Sequence, residues 1–410
     1  MTDIVSCLPV WGRKRKKRGR KKAFFILSGI FVCLFLFLNM TGIVFLSAEE
    51  TDGREELNES ILEQIGELDI EALQEYVDSL EGFSDESVAD RLYDYIKGEA
   101  FDYGSFASQM LDVFFGDIKQ MLPAFACICA VSLLCGLLSS VKSGFTDPSS
   151  ADMIFLICYA AALIPVLSVL TECFSKVGEC VDSMREQMQI VYPLLLTLMA
   201  AGGGSVSAAI YRPAVSFLST ALVSLVSGVV LPLTIAIIAF SMAGNFTSEL
   251  RLNKFSAFFK SINKWIMGAG ISVFGLFLTV QGLTSATYDG IVRQAAKYAI
   301  GTGVPIVGGF LSGGFDLAVA GSILIKNSLG SLSIFLLVAV LFEPLVLLIA
   351  ANLFLRLTAA VTQPFGESRI PDFLGETADN LNYCTAGLLF VGFLYFISIV
   401  LIICSSEVLF

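Results

Sequence analysis

The sequence contains no histidine among its 410 residues. Histidine is the general base of most hydrolytic triads and the commonest metal ligand, so its absence excludes catalytic sites of those two kinds. Charge is scarce as well, because only 15% of the residues are Asp, Glu, Lys or Arg. Soluble domains carry about 25% charged residues, and the composition therefore argues against a soluble protein.

Cysteine is present but forms no metal-binding pattern. Most of the ten cysteines lie in apolar runs, where a thiol behaves as a small hydrophobic group. Cys127 and Cys129 form a C-x-C pair without a second pair at the spacing of a zinc site. No motif of an intramembrane protease is found either. We therefore predict no catalytic residue, no metal, no cofactor and no enzymatic activity.

Long apolar runs dominate what is there. Hydrophobic residues make up 55% of the chain, and its mean hydropathy is +0.77. Several runs reach about 20 residues, the length that a helix needs to cross the hydrocarbon core of a bilayer. The sequence predicts an all-α polytopic membrane protein with about five to seven transmembrane helices after its N-terminal segment. The lipid bilayer is thus its first expected partner.

A basic run precedes the first apolar segment. Residues 13–22 read RKRKKRGRKK, and residues 23–48 are almost entirely apolar. This order predicts that residues 1–48 are a signal sequence or a signal anchor, with the positive flank in the cytoplasm. Whether the signal is cleaved stays open, because the apolar segment is long for a cleaved signal. We assign the basic run to orientation and predict no nucleic-acid binding.

Residues 49–118 have the opposite character. They contain 21 Asp and Glu against three Lys and Arg, a net charge of −18. With the N-terminus inside, this segment lies outside the cytoplasm. Apolar residues recur in it at helical intervals: Ile61, Ile65, Leu68, Leu73, Val77 and Leu80. The apolar stripe needs a cover, supplied either by packing within a small helical domain or by docking onto partner proteins.

Residues 119–410 form the predicted multi-span membrane domain, in which the order of segments recurs. A span, an amphipathic helix, a Pro/Gly-broken segment, a long apolar run and a polar loop occur over about 152–264 and again over about 265–382. The first amphipathic helix, residues 172–190, is expected at the membrane interface. Paired broken segments at matching places are typical of a transporter-like core, and whether the two halves are a true internal repeat stays open.

The two broken segments supply most of the candidate functional residues. Those in the first segment are Pro193, Gly202, Gly203, Gly204 and Arg212. Those in the second are Pro305, Gly308, Gly309, Gly313, Gly314, Asp316, Lys326 and Asn327. A broken helix survives at membrane depth only when protein or a wet cavity shelters its backbone. Both segments are therefore predicted to lie in the protein interior, as re-entrant hairpins or tightly packed short spans.

Two interpretations stay open for the charges of the second segment. Close helix packing could leave Lys326 to extend outward to the interface. Alternatively, Asp316 and Lys326 could line a pathway, since intramembrane charges often mark ion or substrate routes.

Glu343 precedes Pro344 inside an apolar run. A carboxylate at the centre of a membrane helix costs about 2.5–3.5 kcal/mol on insertion scales. We therefore expect Glu343 to pair with Arg356 or Lys326, or to bind a proton. Pro364 lies in the polar loop that follows the apolar run.

The second broken segment resembles a known family, the stage III sporulation protein AE family of endospore-forming bacteria. The resemblance is carried by a P-[IV]-V-G-G…S…KN…G pattern, at Pro305, Val307, Gly308, Gly309, Ser322, Lys326, Asn327 and Gly330. The stretches LMAAGGGSVSAAIYRP and LDIEALQEYVDSL are similar as well. The chain departs from the pattern at SGGFDLAVAG, where Gly313, Gly314 and Asp316 replace a more acidic run.

This resemblance implies a polytopic protein of the mother-cell membrane around the forespore. Such proteins work with other membrane proteins of one sporulation complex, which links the two cells and is similar to specialised secretion systems. Assembly of several copies of this chain is left open. The alternative, which the paired broken segments favour, is a secondary transporter that moves a small solute by alternating access.

Overall fold

The computed structural model is helical almost throughout, and no strand occurs in the residues that it describes. Those residues are 52–80, 87–97, 103–142, 148–246, 254–276, 308–365 and 369–405. The all-α class predicted from the sequence is confirmed. The signal or anchor over residues 1–48, and Pro305, lie outside the described residues.

Three short helices come first: α1 (Asp52–Glu67), α2 (Glu71–Ser79) and α3 (Val88–Lys97). The Ser87 hydroxyl accepts a hydrogen bond from the backbone N–H of Asp90 at 3.1 Å, which is the usual role of a serine before a helix. The side-chain oxygen of Gln74 accepts the backbone N–H of Val88 at 2.6 Å. This second bond ties the start of α3 to α2.

The remaining helices are longer: α4 (Tyr103–Lys142), α5 (Pro148–Ala201), α6 (Ser205–Leu225), α7 (Leu231–Phe246), α8 (residues 254–276), α9 (Gly308–Thr362) and α10 (Arg369–Cys404). A π turn joins α6 to α7. Four described stretches are long and apolar enough to cross a membrane: Leu156–Ala201, Ser205–Asn245, Leu317–Thr362 and Arg369–Cys404. Because residues 277–307 are not described, the predicted five to seven spans stay a prediction.

The long helices α5, α9 and α10 form the centre of the bundle. α9 is antiparallel to α10, since Lys326 contacts Ile402 near one end and Asn352 contacts Ala378 near the other. α9 is also antiparallel to α5, because the Gln187 amide donates to the carbonyl of Ser333 while Lys176 meets Glu343. α5 has 54 residues and α9 has 55, about 80 Å at 1.5 Å per residue. Both helices therefore exceed the roughly 30 Å hydrocarbon core of a bilayer.

α9 is one continuous helix from Gly308 to Thr362, so the interruption expected within residues 308–327 is not found. Its glycines serve close packing instead. A Cβ atom on Gly321 would lie 2.8 Å from the side-chain nitrogen of Gln64, and one on Gly330 would collide with Ile403 of α10. Small residues let helix backbones approach each other in this way. Tertiary packing thus overrides the helix-breaking tendency of glycine.

The first broken segment does interrupt a helix, and the interruption lies at its glycines rather than at its proline. Pro193 lies inside α5, and so do residues 172–190, which were expected to form a separate interfacial helix. α5 ends because Gly203 adopts a left-handed conformation with φ of 91°. The backbone N–H of Gly204 then donates to the carbonyl of Met199, and that of Gly203 to Ala200. This pair of bonds is a Schellman cap, and α6 starts directly after it.

The apolar stripe of α1–α3 is covered by the bundle itself. Its buried members are Ile61, Ile65, Leu73, Tyr76, Val77, Val88 and Leu92. The amide of Gln64 donates to the carbonyl of Ala318 at 3.3 Å and accepts the Ser322 hydroxyl at 2.8 Å, which ties α1 to α9. The sequence leaves two covers open for the apolar stripe, packing within a small helical domain or docking onto a partner protein. The structure shows a different cover, which is α5 and α9 of the same chain.

Tyr76 attaches α2 to α5 through a hydrogen bond of 2.9 Å between its hydroxyl and that of Ser183. Burial raises the pKa of Tyr76 to about 12, although the Ser183 bond acts in the opposite direction. A raised folded-state pKa means that the stabilisation is complete below about pH 10 and is lost as pH rises through about 12. The contact is therefore insensitive to pH in the neutral range.

α4 runs without a break from Tyr103 to Lys142. Residues 103–118, which end the acidic segment, therefore form a single helix with residues 119–142 of the predicted membrane domain. The boundary expected near residue 118 lies within this helix.

Substituting Gly203 with alanine tests the Schellman cap. The left-handed conformation costs a residue with a Cβ atom about 1–2 kcal/mol, so Gly203→Ala should lower the thermal unfolding temperature of the chain in detergent. Gly178→Ala is the matched control, because Gly178 is inside α5 with nothing within 4 Å of a built Cβ atom. That change should stabilise the helix by about 0.5–1 kcal/mol. Equal effects of the two changes would refute the assignment.

Substituting Gly321 with leucine tests the docking of α1. The new side chain occupies the position of the Gln64 amide, so α1–α3 should detach. Trypsin should then cleave much faster than in the native chain at Arg91, which is buried in the native structure. Gly116→Leu is the control, since nothing lies within 4 Å of a Cβ atom there. An unchanged cleavage rate in Gly321→Leu would show that α1 is not held by this contact.

Candidate functional site

Lys326 is fully buried, at 0% exposure. Its Nζ donates to the carbonyl of Ile403 at 2.8 Å and to that of Ile402 at 3.3 Å. These carbonyls belong to the last turn of α10, whose acceptors have no partner within the helix. The negative end of the helix dipole also favours a cation. Lys326 therefore caps α10 and does not extend outward to the interface.

Both glycine-rich segments meet at this cap. A Cβ atom on Gly202 would lie 3.2 Å from Cγ1 of Ile323, one turn before Lys326. On the other side, the Ser405 hydroxyl lies 3.6 Å from the sulfur of Met199. The end of α5, the first half of α9 and the end of α10 are thus joined at one place. We call this group the Lys326 clamp: Met199, Gly202, Ile323, Lys326, Ile402, Ile403 and Ser405.

Glu343 pairs with Lys176 of α5, where Nζ and Oε1 are 2.7 Å apart. The expected partners Arg356 and Lys326 are engaged elsewhere. Arg356 binds the carboxylate of Asp379 at 2.5 Å, and Lys326 binds the carbonyls of α10. The antiparallel packing of α5 and α9 explains the difference, because it places residues 176 and 343 at the same level.

Lys176 belongs to a row of charges along α5. The row, which we call the α5 stripe, consists of Glu172, Lys176, Glu179, Asp182, Arg185 and Glu186. All six side chains are exposed or half-buried, whereas Cys173, Val177 and Cys180 on the opposite face of this stretch are buried. The amphipathic pattern seen in the sequence is therefore real, but it occupies the middle of a long helix.

Glu376 of α10 was not expected to take part in a site. The hydroxyl of Ser241 donates to its carboxylate, and the amide of Asn245 donates to the same oxygen at 3.3 Å. Both donors are on α7, so the contact joins α7 to α10. The sequence contained no signal for it, because Glu376 lies in a stretch that reads as a polar loop.

Two buried amides were also missed. The side-chain nitrogen of Gln187 donates to the carbonyl of Ser333 at 2.8 Å. Among the described residues, no hydrogen-bond partner reaches the side-chain oxygen of Gln187 or either amide atom of Asn380. Orphaned amides of this kind are rare in native structures. Gln187 lies in the charged amphipathic stretch and Asn380 in the polar stretch before the last span, where a single Asn or Gln forms no motif.

The other candidate residues do not gather at the clamp. Arg212 lies on an exposed face of α6, and Pro364 lies in the exposed 3-10 turn after α9. Asn327 follows Lys326 and is half-buried. The backbone of α9 includes five more candidates: Gly308, Gly309, Gly313, Gly314 and Asp316. In the described part of the chain, no three His, Cys, Asp or Glu side chains come together as a metal site.

Substituting Lys326 with methionine tests the clamp. Methionine has a similar length but cannot donate, so the carbonyls of Ile402 and Ile403 lose their charged donor. Orphaned buried acceptors cost about 1–3 kcal/mol, and the thermal unfolding temperature in detergent should fall accordingly. Lys264→Met is the control, because Lys264 is exposed on α8, and its effect should be close to zero. A Lys326→Met variant as stable as the control would contradict the capping role.

Comparison with known proteins gives one consistent result. The family model described as stage III sporulation protein AE matches residues 87–406. The stage III sporulation protein AE of Bacillus subtilis (strain 168) is 24% identical over 371 residues, which cover 88% of this chain and 92% of that protein. No solved structure matches. Since the family match includes the Lys326 clamp, the α5 stripe and most of the chain, the chain belongs to the stage III sporulation protein AE family.

Proposed function

We propose that this chain is a membrane component of a sporulation complex that connects the mother cell with the forespore and supports late forespore development, without a catalytic role of its own. Family membership and the four apolar helices support a sporulation role in a membrane. The observation that carries the finer proposal is the attachment of acidic helices to a membrane bundle through the hydrogen bonds of Gln64 and Tyr76.

The attachment leaves an acidic surface free for partners. On α1 and α2, one face is buried against the bundle, and the other presents exposed carboxylates. We call these the acidic ridge: Glu63, Glu67, Glu71, Glu75 and Asp78. A fixed row of like charges suits a basic surface of another membrane protein, because complementary charge steers association and selects the partner.

The proposed location is the mother-cell membrane around the forespore, with residues 49–118 outside the cytoplasm. The basic run at residues 13–22 supports this orientation, since positive flanks stay inside. The acidic ridge then faces the space between the two cells, where partners from either membrane can reach it.

A secondary transporter was the alternative. Its support came from two interrupted helices at matching places. In the residues that the structure describes from 148 to 246 and from 308 to 365, the glycine turn at 202–204 is an interruption of this kind, whereas α9 continues through Gly308–Asn327. The support for a transporter is therefore weaker than the sequence pattern alone suggests.

Charge reversal of the acidic ridge tests the proposal in the sporulating organism that encodes this chain. A quadruple variant replaces four glutamates with lysine: Glu63, Glu67, Glu71 and Glu75. It should reach the membrane at the normal level, since these side chains are exposed. It should no longer copurify with other sporulation membrane proteins, and heat-resistant spores should be lost. The measurements are affinity purification of the tagged chain and a count of spores that survive heating.

The control keeps the charge and changes the same four positions from Glu to Asp; it should sporulate normally. If the lysine variant still copurifies and sporulates, the ridge is not the docking surface. If deletion of the whole gene leaves spore formation intact, the proposed function itself is wrong.

A further inference from the structure

The first turns of α10 place a carboxylate and an amide on the side that faces α7. The Ser241 hydroxyl of α7 donates to the Glu376 carboxylate, and a Cβ atom on Gly387 would lie 3.1 Å from Val230, just before α7. The two helices are therefore antiparallel, and Glu376 and Gly387 mark the side of α10 that faces α7. Asn380 lies on this side too, because it is one turn after Glu376 and two turns before Gly387.

α8 joins the same interface. The Asn263 amide of α8 donates to the Thr234 hydroxyl of α7 at 3.1 Å. A Cβ atom on Gly270 of α8 would lie 2.8 Å from the ring of Phe390 of α10, so α8 contacts both helices. Thr234 is two turns before Ser241 on one side of α7. The three helices thus form one junction, with polar side chains from each of them.

This junction buries polar atoms that have no partner in the described part of the chain. Asn380 and Asn263 are both at 0% exposure, and neither amide atom of Asn380 nor the side-chain oxygen of Asn263 is hydrogen-bonded there. Thr377, next to Glu376, is also at 0% exposure, and its hydroxyl has no partner among those residues. Buried polar groups are nearly always satisfied in native proteins. Several unsatisfied oxygens at one junction therefore point to a bound ligand.

Glu376 adds a negative charge that the described residues do not neutralise. Both of its hydrogen bonds come from neutral groups, the Ser241 hydroxyl and the Asn245 amide, and both reach Oε2. No ion pair joins Glu376 to a described lysine or arginine, although Lys260 of α8 is half-buried. Asp372, one turn before Glu376, is exposed. An uncompensated carboxylate inside a protein attracts a cation, and the exposed one extends that attraction to the surface.

We propose that Glu376, Asn380 and Ser241 form a binding site for a monovalent alkali cation, Na⁺ or K⁺, at the junction of α7, α8 and α10. All three side chains offer oxygen, the donor that hard cations prefer. The Ser241 hydroxyl donates to Glu376 and still has lone pairs for an ion. Thr377 and Asn263 supply further oxygens for the ion or for the water that it keeps.

The charge of the site selects the class of ion. One carboxylate among neutral oxygens balances one positive charge, whereas protein sites for Ca²⁺ use several carboxylates. Such a site needs neither histidine nor cysteine, the residues on which the prediction of no metal was based. Glu376 is half-buried, so an ion reaches the carboxylate first and the buried amide of Asn380 second. The site adds a ligand that the proposed function does not include.

Thermal unfolding of the full-length chain in detergent tests the site. The concentration of NaCl or KCl is varied, and choline chloride keeps the ionic strength constant. A ligand that binds only the folded state raises the unfolding temperature as its concentration increases. Na⁺, K⁺ or both should therefore raise the unfolding temperature when they replace choline. Equilibrium dialysis with radioactive sodium, or with rubidium in place of K⁺, should detect a single bound ion per chain.

Two variants locate the ion, and a third is the control. Asn380→Leu removes the amide oxygen at similar volume, and the fold should survive because the amide has no partner among the described residues. Glu376→Gln keeps the shape and removes the charge. Both variants should lose the rise in unfolding temperature and the bound ion. Glu179→Gln makes the same change at an exposed carboxylate of α5 and should keep both.

Three results would overturn the proposal. The first is an unfolding temperature that does not change when Na⁺ or K⁺ replaces choline. The second is a rise that Asn380→Leu retains in full, since the ion would then bind elsewhere; this variant decides alone if Glu376→Gln does not assemble. The third is a rise with CaCl₂ only, which would exclude a monovalent site. None of these measurements depends on spore formation, so failure here is distinguishable from failure of the proposed function.

Discussion

The packing of the bundle depends on the buried ammonium group of Lys326, which caps the C-terminal end of α10. Removing a lysine from water costs several kcal/mol even after the protein relaxes, and Lys326 offsets this cost by donating to the carbonyls that close α10. The same cluster includes the glycine turn of α5, where Gly202 packs against Ile323, so three helix segments meet at this cap.

Polar groups occur throughout this apolar bundle at positions where two helices must be fixed against each other. Gln187 fixes α5 against α9, Asn263 fixes α8 against α7 through Thr234, and Glu376 fixes α10 against α7. Apolar side chains alone permit sliding between long helices, since leucine packs almost equally well one turn away. Directional hydrogen bonds remove that freedom, and the helices consequently have one register.

The class of protein and the positions of most helices could be predicted from the sequence, because long apolar runs and helical spacing are local properties. The stripe of α1–α3 was predicted in the same way from residues such as Ile61 and Leu73. The continuity of α9 could not be predicted, since the effect of its glycines depends on Gln64 and Ile403, which are remote in sequence. Likewise, the role of Lys326 depends on where α10 ends, and the partner of Glu343 depends on the register of α5.

The charged middle of α5 has a consequence for the way in which the chain enters a membrane. A translocon that receives α5 meets apolar segments on both sides of the charges, while their partners have not yet been synthesised. Cys180 contacts Val340, 160 residues later, and Gln187 contacts Ser333, 146 residues later. The ribosome therefore completes α9 long after α5 has left the exit tunnel. Early insertion of α5 must be provisional, and its final depth is set only when α9 arrives.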